Sequence, residues 1–332
     1  MKRKMTEKDA IVIAGILGLA VLLLLFKVWS PLVWGSDVKG TGTAVTADGE
    51  TATASGIQAG TVSGAGIGND EPAAGGGDVL LKADPSGKSV ETRIAVPEGY
   101  QRTAAEADSF AAFVRSYPLK KPGSKVKLYD GRLKDNQEAH EAVFRLPIEN
   151  EDLQQCADSV IRMYAEYFWK TKQYDRISFQ FADGFQAEYI KWQEGFRIQP
   201  GAAGTVWIDA GAPYDESYEN FKKFIRMVFA YSSTISLKRE TKKTSLKKLQ
   251  IGDIFIQSGS PGHVVMVVDV CENTEGKKAF LLAQGYMPAQ EFHLLKNPVH
   301  EDSPWYYEDE VTYPFETPEY TFDEGSLRHP VY

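Results

Sequence analysis

Leu249-Gln-Ile-Gly-Asp-Ile-Phe-Ile-Gln257, Ser258-Gly-Ser-Pro-Gly262 and His263-Val-Val-Met-Val-Val-Asp-Val270 lie end to end in a chain of 332 residues. The first run closes on a strand, Ile254 to Gln257. The second is a turn, because its two glycines tolerate positive φ and its proline ends pairing. The third is an almost unbroken apolar, β-branched run, the pattern of a strand covered on both faces. Glu272 to Gly276 gives a second turn, and Lys278 to Gln284 a third strand. Together they predict a buried three-stranded meander whose polar end groups are Asp253, His263, Asp269 and Gln284. His263, alone at the head of a buried strand, has two readings: a general base, or a side chain that bonds only the turn backbone.

Gly252-Asp253-Ile-Phe-Ile, a short turn, Gly262-His263-Val-Val-Met-Val-Val, and a next strand ending in a polar residue resemble the C-terminal half of the NlpC/P60 and papain-like cell-wall peptidases. The resemblance implies an α+β fold of papain-like (NlpC/P60-like) type, an antiparallel sheet packed with helices. It also implies that His263 is the catalytic base and that Gln284, on the following strand, orients it. Three strings, Gln154-Gln-Cys-Ala-Asp158, Gly259-Ser-Pro-Gly-His263 and Leu282-Ala-Gln-Gly-Tyr-Met-Pro-Ala-Gln290, resemble a bacterial membrane-anchored family of unknown function. That second resemblance spans most of the chain from Tyr100 onward and brings no activity with it.

Papain-like chemistry needs a thiolate at a helix N-terminus, where the helix dipole and an imidazolium lower its pKa. The chain has two cysteines. Cys156 opens the amphipathic segment Asp152 to Lys170, after Gln154 and Gln155, either of which could donate to an oxyanion. Cys156 also lies on that segment's apolar face, so it reads either as the nucleophile or as a core residue. Cys271 ends the His263 strand and carries no sign of reactivity. In the resembled peptidases the cysteine helix directly precedes the Gly-Asp strand. Here that place belongs to Ser217 to Tyr231, where Ser217 reads as an N-cap and, as the sharper alternative, as a serine nucleophile. The candidate site is therefore His263, Gln284 and Cys156, and the peptidase reading stands beside a noncatalytic one.

The chain start reads as a membrane anchor. Residues 1–9 are basic, and residues 10–34 carry an uncharged run from Ala10 to Phe26, then Lys27 and the interfacial Trp29 and Trp34. At about 1.5 Å per residue the run nearly spans a hydrocarbon core. The basic side is expected to stay in the cytoplasm, with the rest outside the cell membrane. No small-x-small cleavage site follows closely. Residues 35–89, rich in Gly, Ala and Thr, read as a flexible linker that cannot offset its ordering entropy. Residues 90–332 are the extracytoplasmic α+β domain, long enough and, in a chain 43% hydrophobic, apolar enough to bury a full core.

A net charge of −8 and the lack of an aromatic-interleaved basic stripe exclude a nucleic-acid partner. The one basic run, Lys238 to Lys248, reads as an exposed linker. No cofactor is implied: no Gly-rich phosphate loop follows a strand, and the five histidines show no metal-ligand spacing. His293 reads as the exposed face of a strand. Thr103 to Glu106 reads as a capping box before the helix through Phe110, Phe113, Val114 and Tyr117. Val126 to Tyr129, Ala142 to Leu146, Arg176 to Phe181 and Thr205 to Ala210 read as strands. Asp158, Arg162 and Glu166, at i,i+4 spacing, read as a solvated ion-pair stripe. The aromatic, acidic C-terminus reads as a tail laid over the core. The partners expected are thus the bilayer, through residues 10–34, and cell-wall peptide or glycan. Two functions follow: a membrane-tethered cell-envelope peptidase or amidase, or a noncatalytic envelope-binding or protein-interaction module of the same broad fold.

Overall fold

The computed structural model describes residues 84–332. The expected anchor, and the linker up to residue 83, lie outside the described residues. Among the described residues no helix is long and apolar enough to cross a membrane.

The centre is a nine-stranded sheet in which every pairing is antiparallel. Its strands are β1 (Tyr100–Arg102), β2 (His140–Val143), β3 (Thr241–Lys243), β4 (Ile254–Gln257), β5 (His263–Asn273), β6 (Lys278–Gln284), β7 (His293–Leu295), β8 (Tyr306–Tyr307) and β9 (Leu327–Pro330). The spatial order is β2-β7-β6-β5-β4-β9-β3, while β1 adds to the far end of β5 and β8 to that of β6. The meander of the sequence is thus β4-β5-β6. Ile254 faces Met266 and Gln257 faces His263 across β4 and β5. Between β5 and β6 the register shifts at Leu281/Leu282, so Leu281 faces Asp269 and Leu282 faces Val267. Val264 to Val268 and Phe280 to Ala283 are fully buried, as an uninterrupted apolar run requires when both faces of a sheet are covered.

Among the described residues six α-helices accompany the sheet: α1 (Val90–Arg93), α2 (Phe110–Ser116), α3 (Cys156–Lys170), α4 (Tyr189–Gln193), α5 (Tyr218–Tyr231) and α6 (Thr234–Arg239). Helix α3 packs against β5 and β6 of the meander, α2 also packs against β5 and α6 against β4, while α5 packs on α3. Ser217 to Tyr231 precedes the Gly-Asp strand in the chain, as the sequence reads, but the helix that packs against β5 and β6 is α3. Ser217 is the N-cap of α5, its hydroxyl accepting from the Asn220 amide at 3.2 Å.

Burial of α3 from both sides also overturns its solvated stripe. Asp158, Arg162 and Glu166 are all buried, because the polar side of α3 faces α5 and its approach rather than water. Arg162 donates to Glu166 at 2.6 Å and to the Tyr218 hydroxyl at 3.2 Å. Tyr164 locks the helix to the meander. Its hydroxyl donates to the Gly252 carbonyl at 3.0 Å, and its ring stacks on Phe110 with centroids 4.0 Å apart, a contact worth about 0.5–1.5 kcal/mol beyond burial. Gly252, at φ 97°, has no room for a side chain, since a Cβ would strike that hydroxyl.

Other local expectations shift. The N-cap of α2 is Ser109, whose hydroxyl accepts from Ala112, so Thr103 does not cap it. Val126 to Tyr129 makes only isolated bridges to Leu133 and Gln290. Arg176 to Phe181 and Thr205 to Ala210 each enter a small hairpin, Ser178–Gln180 with Gln186–Glu188 and Phe196–Gln199 with Val206–Asp209. The basic run is no linker. It holds the end of α6 and the edge strand β3, where exposed Lys242 and Lys243 guard the sheet against further pairing. The C-terminal segment covers the core as expected. Phe315–Glu316 pairs with Thr321–Phe322, and the Phe315 ring sits 4.7 Å from Phe255 of β4.

Candidate functional site

The polar groups at the ends of the meander are all partnered. Asp253 accepts from His329 at 2.6 Å and from the Gln250 amide at 3.0 Å. Asp269 is held by Arg102 at 2.7 Å and Arg115 at 2.6 Å. His263 and Gln284 bond each other: His263 Nε2 lies 2.7 Å from Gln284 Oε1. They meet because β5 begins and β6 ends at the same edge of the sheet.

The protons of this cluster follow from its partners. An amide oxygen only accepts, so His263 Nε2 donates and Nδ1 keeps its lone pair. The amide orientation is fixed in turn, since Gln284 Nε2 donates to Glu319 Oε2 at 2.8 Å. Gln284 Nε2 also lies 3.4 Å from His293 Nε2, and His293 Nδ1 lies 2.8 Å from the Glu291 carbonyl, which accepts its proton. Glu319 is held from behind by Lys134 Nζ at 2.6 Å and Asn136 Nδ2 at 3.2 Å. Burial pushes the Glu319 carboxyl up, but the His293 ring beside it and the bond from Lys134 outweigh that and leave it below its ordinary value. Burial of His263 lowers its pKa to about 4, against smaller opposing effects of Gln284 and Glu319, so the ring is neutral at neutral pH.

His293 is fully buried, not exposed. It lies on β7, between β6 and β2, where both faces of the sheet are covered and an alternating pattern no longer reports exposure. Glu319, on the C-terminal hairpin, was not singled out by the sequence. A carboxylate between Pro318 and Tyr320 in an acidic tail carries no periodic signal.

Cys156 is the first residue of α3, and its amide therefore has no intrahelical partner. The first turn of α3 sits against the end of β6: a Cβ on Gly285 would collide with Ser159 Oγ and come within 3.0 Å of the Gln155 carbonyl. The thiol is adjacent to the backbone amide of Val264, the residue after His263, and shares electrostatic contact with Tyr286 and Tyr320. Those two rings flank His263 at 4.7 and 4.9 Å. The structure therefore gathers Cys156, His263 and Gln284 in one neighbourhood, although no hydrogen bond links thiol and imidazole. Burial, then the charge of Asp158, pushes the Cys156 thiol up to about 12.

The two glutamines before Cys156 diverge. Gln155 donates to Asp152 at 3.0 Å near the surface. Gln154 is fully buried, accepts from Arg162 at 3.3 Å and leaves its Nε2 without a partner. Cys271, a free and buried thiol at the other end of β5, lies 3.6 Å from the Ala279 carbonyl.

The site is closed, with Cys156 5% and His263 1% exposed. Tyr320 covers it, its hydroxyl donating to the Pro261 carbonyl at 3.1 Å, and Tyr286 donates to the Glu319 carbonyl at 3.2 Å. Open clefts of about 550 and 600 Å³ run along Phe113, Trp169 and Tyr218 and beside Lys120 and Arg145. Neither is lined by Cys156, His263, Gln284 or Glu319. Among the described residues no three His, Cys, Asp or Glu side chains converge so as to hold a metal ion.

No curated protein and no solved structure matches the chain. A family match covers residues 90–329, from the first turn of α1 to the histidine on β9 that bonds Asp253, and by it the chain belongs to the family described as domain of unknown function 4846.

Proposed function

We propose that the chain is a membrane-tethered thiol hydrolase of the cell envelope, a peptidase or amidase of NlpC/P60-like type. The observation that carries this reading is the neighbourhood of a helix-N-terminal thiol and a neutral imidazole whose far nitrogen is pinned by Gln284. In the reaction, His263 Nδ1 takes the Cys156 proton as Sγ attacks the carbonyl carbon of an amide. The tetrahedral oxyanion receives the Cys156 amide, one of the unsatisfied donors at the N-terminus of α3. The C–N bond then breaks, the amine leaves with the proton from His263, and water hydrolyses the thioester. Residues 10–34 anchor the chain in the cell membrane, residues 35–89 give reach, and the folded domain works outside, on wall peptide. Protease digestion of the domain on intact spheroplasts is the expected topology result, and full protection contradicts it.

One observation favours a second reading. The thiol and imidazole are buried beneath Tyr286 and Tyr320, as in a noncatalytic relative that binds wall peptide, glycan or protein elsewhere on its surface. Incubation of the purified full-length chain with wall stem peptides separates the two. New amine ends that are lost in Cys156→Ser and in His263→Ala support the hydrolase. Peptide binding without cleavage, unchanged in both variants, supports the module.

A further inference from the structure

We infer that Glu319 is a positioning residue: it sets the orientation of the Gln284 amide and so decides which nitrogen of His263 carries the proton. The inference rests on the reading of His263 as a base.

An amide can turn end for end at little cost unless its surroundings distinguish oxygen from nitrogen. At Gln284 three groups surround it. His263 does not distinguish, because a neutral imidazole can donate or accept at Nε2 by changing tautomer. His293 distinguishes weakly, at 3.4 Å. Glu319 Oε2 distinguishes strongly, since a carboxylate accepts only and lies 2.8 Å from Gln284 Nε2. A turned amide would set its oxygen against that carboxylate in a buried place and offer its NH₂ to His263 Nε2. The ring would then carry its proton on Nδ1, and the lone pair needed to take a thiol proton would be spent on Gln284. Lys134, 6% exposed at its side chain, neutralises Glu319 and holds it in place with Asn136. The C-terminal hairpin thus does two things to one ring. Tyr320 covers it and Glu319 polarises its partner, although 56 residues separate His263 from Glu319 by their numbers (319 − 263 = 56).

The test uses the full chain labelled with ¹⁵N-histidine, with His263 assigned by His263→Asn. Long-range ¹H–¹⁵N correlation reads the tautomer, and mass spectrometry reads the iodoacetamide rate at Cys156. The native chain is expected to show protonated Nε2 and bare Nδ1. Glu319→Met, which keeps the volume but offers no acceptor, should mix the tautomers and slow Cys156 at least about tenfold, because a triad histidine in the wrong tautomer loses its function as base. Glu319→Ala is the second variant should Glu319→Met not fold. Glu319→Gln keeps one acceptor oxygen, which Lys134 and Asn136 claim, so its NH₂ faces Gln284, should turn that amide and should give the opposite, Nδ1–H tautomer with Cys156 slowed as in Glu319→Met. A single Nε2–H tautomer in Glu319→Met and Glu319→Ala alike, with the rate at Cys156 unchanged, overturns the inference. A tautomer that follows Glu319 in a chain whose Cys156 never reacts leaves the inference standing and removes the thiol hydrolase instead.

Discussion

The two ends of β5 carry the same kinds of residue to different effect. Each end has a buried cysteine and a buried polar side chain with charged neighbours. At the far end Asp269 is saturated: Arg115 and the Val270 amide bond Oδ1, and Arg102 bonds Oδ2. Arg115 is itself spent on the Thr103 and Val270 carbonyls. At the near end Gln284 takes one nitrogen of His263 and leaves the other for a proton. Cys271 sits among β-strands beside a carbonyl, whereas Cys156 opens a 15-residue helix. A saturated buried charge is a staple, and an imidazole held by one nitrogen only is a group that can still react.

Breaking the staple should have the largest effect. Asp269→Ala leaves two guanidinium groups facing an apolar wall, and loss of one partner of a buried pair costs about 3–5 kcal/mol, read as a fall in urea-unfolding free energy. The near end sharpens the contrast through pH. The folded-state pKa of His263 is depressed to about 4 from its ordinary 6.5. Between those values the unfolded chain binds a proton there that the folded chain refuses, so stability falls as pH falls from 6.5 towards 4. The slope approaches about 1.4 kcal/mol per pH unit and should be absent in His263→Asn. Equal slopes in the two proteins would mean that His263 is not held neutral by burial.

Gly285→Ala comes next. The added methyl meets Ser159 and Gln155, pushes the first turn of α3 off β6 and should cost about 1–3 kcal/mol, with the Cys156 labelling rate changed. Cys271→Ala should have the smallest effect, about 1 kcal/mol from lost packing, with Cys156 labelling untouched. A change at Cys156 in that variant would show that the two ends of β5 are coupled.

The meander was legible because its strands are buried runs separated by glycine-rich turns, and consecutive strands pair. That logic reaches His263 and Gln284. It fails at α3, where the stripe Asp158, Arg162, Glu166 looks like a wet helix face. The sequence does not reveal that α5 arrives from 48 residues beyond the end of α3 (218 − 170 = 48) to cover the polar side. The same blindness extends to the helices, since Ser217–Tyr231 comes nearer the Gly-Asp strand in the chain while Cys156–Lys170 packs on β5 and β6. It also hid Glu319, because a bond between a hairpin tip and a strand end depends on tertiary geometry and leaves no period in the chain.

The most direct measurement compares the two thiols within one native molecule. Burial pushes each thiol up to about 12, so neither is a ready thiolate on its own. Iodoacetamide at near-neutral pH, read by mass spectrometry, should label Cys156 at least about tenfold faster than Cys271, an advantage that disappears in His263→Ala. Labelling of both cysteines at one rate, and only as the chain unfolds, would contradict the account.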